Sequence, residues 1–280
     1  WLRYEELVPV HKQFEKLVGT KLSQTALIAE SKSITYGQLE NKARSVACFL
    51  QTRGIQKGDI VVLVLNRSID VLSCILGVLK LGAVFVIMNR EYGEHRIQTM
   101  ISQLDVKLIL CDTPINKGVL LDGIPKNGMA PIECIDIEPS DPAYIMFTSG
   151  STGVPKPVLI QHGALSNTFQ GMSQALNLDH THMFLAASNI SFDVSLIEML
   201  WPLLNDKQVF IETGFGYRDP KRIGELVRTY KPDILQITPS LLKLFLKQDP
   251  DIFSYLNCLL IGGEIVTHSV MQELSKYFQH

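Results

Sequence analysis

Apolar positions along the chain switch between two periods. Leu39, Ala43, Val46, Ala47 and Leu50 recur at the three- and four-residue steps of one helix face. Ile60 to Leu65 is an unbroken apolar run, as in a strand covered on both faces. Ser68 is placed to cap a helix running to about Leu81, which Gly82 would end. Ala83 to Ile87 reads as the next strand. Ile97, Met100, Ile101 and Leu104 mark a helix, and Val106 to Leu110 the strand after it. Residues 112–141 are rich in Pro, Gly, Asn and Asp and read as irregular connection. Beyond them the alternation resumes. Strands are expected at Tyr144 to Phe147, Met183 to Ala187, Gln208 to Ile211, Ile234 to Ile237 and Cys258 to Ile261. Helices are expected at Ala164 to Ala175, Val194 to Leu204, Pro220 to Tyr230, Pro239 to Leu246 and His268 to Phe278, with Asp219 as N-cap of the third.

This alternation predicts an α/β protein with helix-covered sheets. The long connection suggests two α/β subdomains, roughly residues 1–120 and 130–280. The chain ends just after a helix, where the pattern predicts another strand. Hydrophobic residues at 46% and charged residues at 19% fit a well-buried globular protein rather than a disordered one. A net charge of −2 shows no footprint for nucleic acid or a membrane surface. The longest apolar run is far too short to span a bilayer. The start, Trp1 to Glu6, is mixed and charged and does not read as a signal peptide. Cys48, Cys74, Cys111, Cys134 and Cys258 form no C-x-x-C pair and read as buried, reduced thiols of a cytoplasmic protein. His180 and His182 have no partner at metal spacing and read as solvent-facing turn residues.

The stretch richest in chemistry runs from Tyr144 to Lys156. A hydrophobic strand enters a loop holding Thr148, Ser149, Gly150, Ser151, Thr152 and Gly153, with Lys156 close behind. Glycines let backbone N–H groups approach an anion, hydroxyls donate to phosphate oxygens, and lysine adds a compact positive charge. The spacing is not that of a Walker loop. A plain surface turn is the alternative; the fixed order of hydroxyls, glycines, proline and lysine after a buried strand favours a phosphate loop.

Thr148 to Lys156 resembles the signature loop of the adenylate-forming superfamily, which includes acyl-CoA synthetases, luciferases and nonribosomal peptide synthetase adenylation domains. The resemblance covers nearly the whole chain. Val10 to Val18 looks like the opening helix of adenylation domains. Ile34 to Glu40, Leu79 to Val86, Phe192 to Ser195 and Leu260 to Glu264 are similar to further motifs, in order. The resemblance implies ATP and Mg²⁺ as cofactors and an amino acid activated as aminoacyl-AMP. It implies a carrier-protein phosphopantetheine and neighbouring synthetase domains as partners. It also implies that the Thr148–Lys156 loop addresses the β- and γ-phosphates.

Phe192-Asp193-Val194-Ser195 separates the branches of the family. In peptide synthetases the aspartate of this motif pairs with the substrate ammonium, which a fatty-acid activator has no use for; the plain alternative for Asp193 is a helix N-cap. The other substrate positions carried over are Val194, Ile197, Gln236, Leu260 and Gly262. Core packing is the alternative for the aliphatic ones, whereas Gln236 in a strand needs a partner. Gly263, Glu264 and Ile265 match the adenine side, though the glycines also suit a plain turn. Pro157 and Ile87-Met88-Asn89 depart from the family pattern. The lid with its catalytic lysine, and the magnesium ligand, are expected after His280, so no catalytic or metal residue is assigned here and the isolated chain is expected not to turn over. Two rivals stand beside this reading: an acyl- or aryl-CoA synthetase fragment, and a truncated binding module without catalysis.

Overall fold

The computed structural model describes residues 6–30, 32–125, 135–148, 155–176, 179–214 and 219–278. Among them, twelve strands form two six-stranded sheets. The first sheet contains β1 (Thr25–Ala29), β2 (Lys32–Thr35), β9 (Met183–Ala186), β10 (Gln208–Ile211), β11 (Ile234–Ile237) and β12 (Cys258–Ile261), in the order β12-β11-β9-β10-β1-β2. The second contains β3 (Ile60–Leu65), β4 (Val84–Asn89), β5 (Val106–Cys111), β6 (Gly118–Leu120), β7 (Pro142–Thr148) and β8 (Lys156–Gln161), in the order β6-β5-β3-β4-β7-β8. Each sheet is parallel except for one edge pair, β1 with β2 and β7 with β8.

The sheets do not divide at the 112–141 connection, as the composition suggests. Leu27 of β1 pairs with Val209 of β10, and Phe85 of β4 pairs with Tyr144 of β7. A breaker-rich stretch marks where the chain crosses the surface. Which strands then pair depends on non-local burial that no local pattern records. That stretch also holds β6.

The helices are α1 (Val10–Lys21), α2 (Tyr36–Thr52), α3 (Ile69–Lys80), α4 (Glu94–Ile101), α5 (His162–Ala175), α6 (Val194–Leu204), α7 (Pro220–Tyr230), α8 (Pro239–Gln248) and α9 (His268–Leu274). The main core joins α1, α2, α3 and α6 to the facing sides of both sheets. Strand alternation shows the layering. In β3, Val61, Leu63 and Leu65 enter this core, while Val62 and Val64 enter the one under α4. In β9, Phe184 and Ala186 face inward and Leu185 faces α7, α8 and α9. Helix α3 is apolar all round and almost wholly buried, as a helix in a central layer must be. Its one lysine, Lys80, is buried and meets Glu15 and Glu40 at 2.5 and 2.9 Å. Ser68 takes the N-cap position of α3 without a side-chain bond, and Gly82 ends the segment at φ 63°. Among the described residues no helix is long and apolar enough to cross a membrane. Four described cysteines are free, Cys74 and Cys111 buried, Cys48 and Cys258 half-buried. Cys134 lies outside the described residues. His180 is exposed, as is His182.

Candidate active site

In open parallel sheets, ligands bind at the carboxyl ends of the strands. Here those ends converge from both sheets. After β7, Thr148 pairs in register with Lys156 of β8, and the Thr148 hydroxyl lies 3.4 Å from the Lys156 carbonyl oxygen. The two residues close the neck of a hairpin, with both side chains exposed. Ser149, Gly150, Ser151, Thr152 and Gly153, which follow Thr148 in the sequence, lie outside the described residues. Strand β8 itself escapes the sequence pattern, because KPVLIQ is exposed along nearly its whole length and shows no alternation.

After β9 the chain turns through residues 187–193 into α6. Phe192 is 53% exposed rather than packed in the core. The Asp193 carboxylate is also exposed, and its Oδ1 accepts from the Val194 N–H at 2.9 Å. Asp193 therefore does act as the N-cap of α6. Burial pushes the Tyr144 hydroxyl of β7 up to about 12, and the Asp193 charge adds to that. Asp193 thus sits within electrostatic reach of the strand leading to the hydroxyl-rich loop.

Phe192, Val194 and Gln236 line a cleft of about 250 Å³ with Ala187, Asn189 and Thr238. Gln236 shares a strand face with Ile234, the face toward the main core. It pairs in register with Leu260. A Cβ built on Gly262 would meet Gln236 Nε2 at 3.7 Å, so the amide reaches across to that glycine. Ile197 and Leu260 are half-buried and packed against the core. Core packing accounts for much of their surface.

Gly263 sits at φ 84°, where a side chain would be strained. Glu264 Oε2 accepts from Ser240 N at 3.0 Å and from the Ser240 hydroxyl, at the first turn of α8. Ile265 is 89% exposed. No three His, Cys, Asp or Glu side chains among the described residues are grouped to hold a metal ion.

Sequence reasoning misses the residues that hold the 187–193 turn in place. Glu198 of α6 is 1% exposed. Its Oε2 accepts from Ala187 N at 2.9 Å and Ser188 N at 2.8 Å, and its Oε1 accepts from the Ser188 hydroxyl. Burial pushes this carboxyl up to about 7, opposed by those bonds and by Arg67. Arg67, which follows β3 in the other sheet, donates to the carbonyls of Ala186 and Ser188. The Asn89 N–H at the end of β4 donates to Ser191 Oγ at 2.7 Å. A lone carboxylate in the apolar run LIEMLWPLL is the one signal that could have found Glu198.

With this geometry in view, the chain can be set beside known proteins. The model of the AMP-binding enzyme family matches residues 14–280. The chain belongs to the AMP-binding enzyme family. Among curated relatives of this AMP-binding chain, the dimodular nonribosomal peptide synthase of Bacillus subtilis is 28% identical over 96% of the chain. Zwittermicin A synthase ZmaJ of Bacillus cereus is 31% identical over 85%. The chain spans 12% of the first relative's length and 47% of the second's. Among solved structures, the N-terminal subdomain of Klebsiella oxytoca NpsA superposes with a TM-score of 0.84 at 24% identity, covering 98% of this chain and 72% of that one. PA1221, a peptide synthetase protein containing adenylation and PCP domains, gives 0.86 at 24% identity, covering 98% and 48%. At that identity the structures show the fold: this AMP-binding chain has the α/β architecture of an adenylation-domain N-terminal subdomain.

Proposed function

We propose that this chain belongs to an adenylation domain that activates an amino acid for nonribosomal peptide synthesis. The substrate carboxylate attacks the α-phosphate of ATP, forming the aminoacyl-AMP anhydride as pyrophosphate leaves. The carrier-protein phosphopantetheine thiol then attacks the acyl carbon, forming the thioester as the acyl–phosphate bond breaks and AMP leaves. The relatives' names and the adenylation–PCP architecture of PA1221 support the carrier and neighbouring synthetase domains as partners. Chemistry of this kind rests on positioning and charge stabilisation.

One observation carries the reading toward an amine-bearing substrate. Asp193 offers an exposed carboxylate beside the cleft, with one oxygen tied to Val194 N and the other free for an ammonium among the described residues. Phe192, Val194, Ile197, Gln236, Leu260 and Gly262 are the proposed substrate-side residues. Gln236 is the hydrogen-bonding member, which suits a medium-length side chain with a neutral polar tip, such as glutamine. Thr148, Lys156 and the loop between them are proposed for the ATP phosphates, and Gly263, Glu264 and Ile265 for the adenine side. Mg²⁺ is proposed as the companion of ATP.

The NpsA subdomain has been solved with 3-hydroxybenzoyl-AMSN, so aryl acids belong in the test. ATP–pyrophosphate exchange should be measured on the complete domain with amino acids, their des-amino counterparts and aryl acids. The proposal expects exchange with at least one amino acid and none with its des-amino counterpart. Preference for acids lacking an amine would contradict it, and no exchange with any acid would favour a non-catalytic binding unit.

A further inference from the structure

The 187–193 turn carries Phe192 and Asp193, yet it belongs to neither sheet's hydrogen-bond ladder. Its shape is held from two sides. From below, Glu198 spends both carboxylate oxygens on the turn, taking two backbone N–H groups and one hydroxyl. From the facing sheet, Arg67 takes two carbonyl oxygens of the same strand end, at Ala186 and Ser188, and Asn89 N–H takes Ser191 Oγ. Within the turn, Asn189 Oδ1 accepts from Ser191 N at 2.9 Å. The donors at the start of the turn thus meet one buried carboxylate, and the acceptors there meet one buried guanidinium.

The cost of this arrangement argues that it serves more than packing. A fully buried carboxylate is expensive, and an apolar helix face would stabilise α6 at least as well. What an apolar residue could not do is fix the direction of two consecutive N–H groups at the start of the turn. Directional bonds of that kind set side-chain positions several residues on, at Phe192 and Asp193.

Resting on the amino-acid reading above, we propose that Glu198 is a positioning residue, acting with Arg67 to hold the 187–193 turn so that Asp193 meets the substrate ammonium. Glu198 does not touch substrate; it acts through Ser188. The isosteric amide of Glu198→Gln keeps the arrangement, since its oxygen can accept from both N–H groups and its NH₂ can donate to the Ser188 hydroxyl. Glu198→Ala removes it. Ser188→Ala is the milder variant, losing one of the three bonds.

The test has two readouts on the complete domain. Hydrogen exchange should show faster exchange of the 187–193 amides in Glu198→Ala, with protection of β10 and α3 unchanged and near-normal protection in Glu198→Gln. Steady-state kinetics of pyrophosphate exchange should show the amino-acid KM raised at least ~10-fold in Glu198→Ala and several-fold in Ser188→Ala. The ATP KM should stay within about twofold, with Glu198→Gln within about threefold of wild type throughout. Unchanged protection of residues 187–193 in Glu198→Ala would overturn the inference. So would a loss spread evenly over both sheets, or equal rises in the two KM values. If Glu198→Ala unfolds, Ser188→Ala must show the local loss and the KM split, and an unchanged turn there overturns the inference. Hydrogen exchange does not depend on which acid is activated. A domain that shows the local loss of protection but activates only acids without an amine would therefore sink the amino-acid reading while leaving the Glu198 hold on the turn in place.

Discussion

At the residue scale, Gln236 is the proposed substrate-side residue whose chemistry would most constrain the choice of amino acid. A half-buried amide on the core-facing side of β11, reaching toward Gly262, wants both a donor and an acceptor nearby. Leaving it unpaired against a hydrocarbon substrate would cost about 1–3 kcal/mol. Gln236→Leu should therefore shift the preference in pyrophosphate exchange from a neutral polar amino acid toward leucine or valine. A ranking unchanged by the substitution would show that Gln236 does not face the substrate. Gln236 is legible in the sequence because a polar residue interrupts an apolar strand. Glu198 sits in an equally visible interruption, LIEMLWPLL, but it lies in no substrate motif. Its partners, the Ala187 and Ser188 N–H groups, come from eleven and ten residues earlier, a backbone contact no side-chain pattern records.

At the element scale, boundaries are legible where local chemistry sets them. Helix α7 begins at Pro220 behind the Asp219 cap, whose side chain accepts from Lys221 N, and α8 begins at Pro239 behind Thr238. Strand β3 is legible because it is apolar on both faces. Strands β2 and β8 are not, because each is exposed or only half-buried and holds its place through sheet pairing rather than a pattern of its own. The packing of α2 on α3 shows the same limit. A Cβ on Gly77 would lie 2.7 Å from Val46 Cβ and 2.8 Å from the Ala43 carbonyl oxygen, so this glycine permits a backbone approach that periodicity alone cannot reveal. Gly77→Ala should destabilise the fold by about 1–3 kcal/mol through overpacking, despite alanine's better helix propensity. Denaturant titration of the variant checks this, and a stability equal to or above wild type would refute the close approach.

At the scale of the whole molecule, two sheets share one central layer, and the chain crosses between them twice. That exchange cannot be foreseen from composition, and it brings Arg67 and Asn89 against the turn after β9. The same layering buries His11 of α1 against His162 of α5, with ring centroids 5.5 Å apart and no hydrogen-bond partner for the ring nitrogens among the described residues. Burial holds both imidazoles below the usual histidine range, His162 at about 4. A histidine depressed in the folded state stays neutral there while the unfolded chain takes up a proton. Its contribution is fully present above about pH 6.5 and is lost as pH falls toward about 4. Burial raises Glu198 and Glu40, which act with the opposite sign, so the clean measure is a difference. Compared with His162→Leu, wild type should lose stability by up to about 1.4 kcal/mol per pH unit across that window. The two proteins should run parallel above about pH 7. Thermal melts from about pH 7.5 to about pH 4 test this, and curves parallel throughout would contradict it.

The central claim is that this site activates an amino acid by holding its ammonium on Asp193. Asp193 is exposed and caps α6, so a partly solvated charge-assisted bond, worth about 1.5–3 kcal/mol, sets the scale of the expected effect. The decisive measurement is amino-acid-dependent ATP–pyrophosphate exchange by the complete domain with Asp193→Ala. The amino-acid KM should rise about 10- to 150-fold while the ATP KM stays within about threefold. An amino-acid KM equal to that of wild type would contradict the account and leave Asp193 as a helix cap alone.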